Sequence, residues 1–151
     1  MFEGLFQPTH LLVIFFMATL MLVPAVFFLL TLQRALARCS LETRATSPES
    51  VWLMLIPIFN LVYQFILVGN VARSLRNEFV RRGIPLADPE PGKSLGVAMS
   101  VLNVGSAIPL VGVVLMVPSL ICWILYWVRI ADYSGMIAMP ALSAPSPRPI
   151  V

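Results

Sequence analysis

Histidine and cysteine are the side chains best suited to metal or nucleophilic chemistry, and this chain carries one histidine, His10, and two cysteines, Cys39 and Cys122. Their placement supports neither chemistry. The cysteines form no CxxC pair, and no histidine lies near either one. Cys39 follows "LQRALAR" at the edge of an apolar run, where it is a palmitoylation candidate or a bystander thiol. Cys122 lies inside another run, where a small hydrophobe packs. A structural disulfide is not expected. Neither HExxH, GxSxG nor a P-loop occurs. The seven acids, from Glu3 to Asp132, fall in loops or at run ends and make no convincing pair. No charge interrupts the apolar runs, so the signature of proton relays, ion paths and voltage sensors is missing. The expectation is a non-enzymatic protein with no metal and no cofactor.

Four polar residues do sit in apolar surroundings. "WLMLIPIFNLVYQFILV", residues 52–68, carries Asn60 and Gln64 after Pro57. On a helix these amides are four apart and share a face. Ser100 and Asn103 make a matching face in the later run, with Gly96 and Ser100 at small-xxx-small spacing for close helix approach. An amide facing lipid forfeits hydrogen bonds, so all four should point inward. Two readings fit: an interhelical tie, or a polar permeation or substrate site.

Composition sets the solvent around these residues. The 151 residues are 59% hydrophobic and 11% charged, with a mean hydropathy of +0.91. A soluble domain carries about 25% charged residues and could not cover its surface with so few. Lipid is the natural surroundings. The net charge of +3 does not indicate nucleic acid, because the basic residues sit in loops beside apolar spans with no interleaved aromatic platform.

The apolar segments run over about 10–32, 51–69, 95–108 and 110–130. The first has 22 uncharged residues over 11–32, enough to span; no basic residue precedes it as in a signal peptide, and Pro24 marks a kink. Thr46 and Glu49 have capping-box spacing, so a second helix should start near Pro48. Beyond Gly69 it continues as "NVARSLRNEFVRR", with Val71, Ala72, Leu75 and Phe79 on one face and Glu78 paired to Arg82 four residues on. Residues 83–94 form a Pro/Gly linker. Residues 95–128 then run 34 positions without a charge. One helix of that length would reach roughly 50 Å, so a break is expected around Gly105, Pro109 and Gly112. Trp123, Tyr126 and Trp127 fall where interfacial aromatics belong. Residues 140–151 read as a disordered Pro-rich tail.

"IPIFNLV" at 56–62 and "IPLVGVV" at 108–114 mark an internal repeat: a short helix, a break at Ile-Pro (Pro57 and Pro109), then a longer helix ending in an Arg-bearing segment. The fold class is therefore all-α, an integral membrane bundle of about four apolar helical segments in one domain over 1–139. Two topologies fit. Four spans with both termini inside put Arg34, Arg38 and Arg44 outside and the other seven basic residues inside. A re-entrant hairpin with its tip at Ile56-Pro57 puts all ten inside. Charge favours the second and segment length the first.

The start "MFEGLFQPTHLLVIFF" resembles the small subunit of the twin-arginine translocase over about a tenth of the chain. That family's Phe-Gly hinge and charged amphipathic helix are absent here, so the likeness implies only an N-terminus facing the periplasm. "WLMLIPIFNLVYQF" and "IPLVG…ICWILYWVRIADYS" are similar to segments of small bacterial multi-pass proteins with a Trp-x-x-x-Ile-Pro-x-x-Asn motif and no assigned activity. The resemblance covers about half the chain and implies an architecture, not a reaction. The expected role is an accessory or assembly component of the bacterial cytoplasmic membrane, associating with itself or with other membrane proteins. The alternative is a small channel or transporter component using the Asn60, Gln64, Ser100 and Asn103 face.

Overall fold

The computed structural model describes residues 7–139; 79% of them are helical and no strand occurs among them. The first six residues, which open the translocase-like stretch, and the Pro-rich tail 140–151 lie outside the described residues. Two compact units divide the chain, Met1–Leu30 and Thr31–Val151.

Helix α1 is Pro8–Arg38, with Pro24 inside it. Proline at the first helical position suits the start, because its missing N–H is an orphan there anyway. Among the described residues up to Leu30 most large apolar side chains are exposed, Leu12, Phe15 and Met21 among them, and only Phe28 and Leu29 are buried. No water-facing helix would carry such a surface.

In the second unit the chain leaves α1 through residues 39–47 and enters a 3-10 segment, Pro48–Leu55, with Ser47 at its cap. Ser47 makes no side-chain capping bond; the Ser50 hydroxyl donates to the Ser47 carbonyl at 2.6 Å. The helix expected from Pro48 through Gly69 is thus interrupted. Ile56 adopts φ −83°, ψ 108°, the extended conformation that a following proline imposes. Pro57 then opens α2, Pro57–Arg81.

A Schellman motif closes α2: Gly83 at φ 65° sends its N–H to Val80 at 3.1 Å, and Ile84 sends its own to Phe79 at 3.0 Å. The expected linker is an ordered turn, in which Asp88 accepts the N–H groups of Glu90 and Gly92. Helix α3, Lys93–Gly105, follows. Its 13 residues reach only about 20 Å. The chain turns at residues 106–110 and returns as α4, Val111–Ala138.

The turn is tight. Val111 donates to the Pro109 carbonyl at 2.9 Å, across Leu110 at φ 70°, ψ −51°. That is a γ-turn of the strained hand, and Leu110 is the only described non-glycine residue with positive φ. A β-carbon on Gly112 would collide with the Ser106 carbonyl oxygen, so glycine is required there for space.

Three helix ends meet. Trp127 donates to Thr31 Oγ1 at 2.8 Å, and one heptad later on both helices Arg38 donates to Ser134 Oγ at 2.8 Å. Residues 31–38 and α4 therefore run in the same direction. Arg82, just beyond α2, reaches the Ile137 carbonyl at 2.7 Å. The C-termini of α1, α2 and α4 thus share one end, and the described Lys and Arg residues belong to the helix segments and loops that lead into or out of it. Among the described residues three helices, α1, α2 and α4, are long and apolar enough to cross a membrane, and α3 is the short one.

Candidate functional site

Packing between α2 and α3 brings most of the expected polar face together. Gln64 and Ser100 are fully buried. Asn103 donates its amide to Gln64 Oε1 at 3.2 Å, and Gln64 Nε2 donates a long bond of 3.4 Å to the Ser100 carbonyl. The Ser100 hydroxyl turns back on its own helix, to the Gly96 carbonyl at 2.9 Å. Asn60, one turn nearer the start of α2, has its side-chain oxygen buried and without a hydrogen-bond partner.

Gly96 sets how close the helices come. A β-carbon there would lie 2.5 Å from Val68 Cγ1 and 2.7 Å from Tyr126 Cε2. Tyr126 is itself buried, so it packs on the α3 backbone rather than standing with Trp123 and Trp127 as an interfacial aromatic.

A second polar centre forms where the helix ends gather. Glu78 is wholly buried on the same side of α2 as Val71, Leu75 and Phe79. Its Oε2 accepts from Thr43 Oγ1 at 2.7 Å, from the Ser40 N–H at 2.9 Å and from the Ser40 hydroxyl at 3.0 Å. Its Oε1 takes Arg81 and Arg82 at 2.6 Å each. A buried carboxylate is tolerable only with this many donors. The expected Glu78–Arg82 pair is present, and the links to Ser40, Thr43 and Arg81 were not anticipated. The available signal was Glu78's place three residues after Leu75, on the apolar stripe.

Guanidinium groups also serve helix carbonyls at this end. Arg44 donates to Cys39 and Ala37 carbonyls at 2.8 Å each, and Arg38 and Arg82 do the same for α4. Cations at helix C-termini complement both the orphan carbonyls and the dipole. Cys39 sits beneath this layer at 1% exposure. Burial, with the Glu78 charge as the next cause, pushes its thiol up to about 11. A thiol so enclosed is a poor acylation site, and the palmitoylation reading loses its support. Among the described residues no three His, Cys, Asp or Glu side chains gather as a metal site.

No family model, curated protein or solved structure matches this chain.

Proposed function

We propose that this chain is a non-enzymatic integral protein of the bacterial cytoplasmic membrane, acting as an accessory or assembly component that associates with copies of itself or with other membrane proteins. In this reading α1 crosses the bilayer, and the segments 48–81 and 93–130 enter and return on the basic side. The gathering of three helix C-termini and their arginines at one end supports that arrangement through the positive-inside rule.

The observation carrying the role is the closure of the α2–α3 seam. Gln64, Asn103 and the Ser100 carbonyl bond one another in a buried contact, which is how polar side chains tie membrane helices together. Outside the seam, α4 presents Val113, Val114, Met116 and Val117 on its exposed surface, available to lipid or to a neighbouring helix. The unpartnered oxygen of Asn60 favours the second reading, a channel or transporter component.

Liposome flux on the wild type and on the Asn60→Leu/Gln64→Leu double variant separates the two. The assembly reading expects no flux from either protein and weaker self-association or partner association in the variant. Flux in the wild type that disappears in an intact variant would establish transport instead.

A further inference from the structure

We propose that the cleft between α2 and α3 at the basic end binds the phosphodiester of an anionic phospholipid. The cleft is lined by Gly69, Ala72, Arg73, Arg76, Glu90 and Lys93 and encloses about 40 Å³. That is room for roughly three water-sized groups, the scale of one phosphate's oxygens.

Charge points to an anion. Lys93 is matched by Glu90 at 2.7 Å, whereas the side chains of Arg73 and Arg76, both exposed, make no hydrogen bond or ion pair with any described residue. Three cations against one carboxylate leave a net charge of +2. Two guanidinium forks one helical turn apart suit phosphate oxygens, which they can hold bidentately. Space is available as well, because a β-carbon on Gly69 would meet nothing within 4 Å.

Depth points to a lipid rather than a free anion. Arg73 follows directly on the apolar part of α2, and Lys93 is the first residue of α3, so the cleft lies at the level of the headgroups in the proposed arrangement. One heptad below Gly69 and Arg73 lie Val62 and Ile66, and one and two turns below Lys93 lie Val97 and Val101; all four are exposed. They give an acyl chain an apolar track from the phosphate downward. Basic clefts between membrane helices on the cytoplasmic side are where anionic headgroups bind.

The test titrates phosphatidylglycerol or chain-matched phosphatidylcholine into the full-length protein in detergent and counts retained lipid by native mass spectrometry. One phosphatidylglycerol per chain should be held, about 25-fold more tightly than phosphatidylcholine, at about fivefold per unpaired arginine. The variant Arg73→Gln/Arg76→Gln should lose that preference, while Arg34→Gln/Arg129→Gln should stay within about twofold of wild type, since those arginines lie outside the cleft. Equal retention of the two lipids by wild type overturns the proposal without relying on any variant. Equal losses in the two double variants would reduce the effect to a diffuse surface field and overturn it too. Displacement of phosphatidylglycerol by millimolar inorganic phosphate would assign the cleft to a soluble anion instead.

Discussion

Glu78 and Ser40 are joined by two hydrogen bonds, one from the backbone N–H at 2.9 Å and one from the hydroxyl at 3.0 Å, although 38 residues separate them. The pair fastens the end of α2 to the chain just beyond α1. Replacing Glu78 by Gln should cost about 2–3 kcal/mol, below the range for a fully buried pair because Arg81 and Arg82 can still reach water. Thermal unfolding followed by circular dichroism in a fixed detergent measures it. Arg81→Gln, which removes a half-exposed partner, should cost clearly less; an equal or larger loss would show that the carboxylate is not the centre of the cluster.

Gly96→Ala should destabilise, since the new methyl would press on a branched side chain and an aromatic ring that cannot simply swing away. The overpacking cost of about 1–3 kcal/mol outweighs the gain of under about 1 kcal/mol in helix propensity. Adding Val68→Ala should restore part of the loss. No recovery in the double variant would place the conflict elsewhere.

A double-mutant cycle on Gln64→Leu and Asn103→Leu should return a coupling near 0.6 kcal/mol, the usual size for interhelical polar pairs in membranes. A coupling of zero in the same unfolding assay would mean that the two amides do not depend on each other.

Cys39 should resist alkylation. With its thiol raised to about 11, it holds roughly a hundredfold less thiolate at neutral pH than an ordinary cysteine. In a Cys122→Ser background, maleimide labelling should be slow in the native state, accelerate as pH climbs towards 11, and be complete after denaturation. The linkage has the same sign: the folded state holds this proton more tightly, so its contribution is full below the ordinary thiol pKa and is lost as pH rises through about 11. Fast labelling at pH 7 would contradict the burial.

Single cysteines replacing Glu42, Pro85 and Asp132, in a chain without Cys39 and Cys122, should react with an impermeant thiol reagent from the cytoplasmic face alone. All three positions are exposed or partly exposed and belong to the end where the helices meet. Labelling of position 42 from the opposite face to position 85 would restore the four-span topology.

Apolar run length and proline position made most of the helical pattern legible in the sequence. Pro57 and Pro109 mark both reversals because a proline forces its predecessor out of helix. The kind of element before Pro57 was less visible, since eight residues between two prolines can close as 3-10 or α turns on the same composition. Gln64, Ser100 and Asn103 were readable as a set because amides in apolar runs must find one another. Glu78 was not, because an acid four residues before an arginine looks the same on a wet helix as in a buried cluster. Ser40, Thr43 and Ser134 carry no pattern at all; only the meeting of the helix ends gives them partners.

That meeting also divides the arginines into two populations. Arg38, Arg44, Arg81 and Arg82 hold carbonyls or a carboxylate, while Arg34, Arg73, Arg76 and Arg129 have no such duty within the described chain. Neutralising the first four to invert the protein in the bilayer would unmake it before it could turn over. Among the described arginines, insertion experiments that vary charge therefore have the second four as dials, and two of those line the proposed lipid cleft.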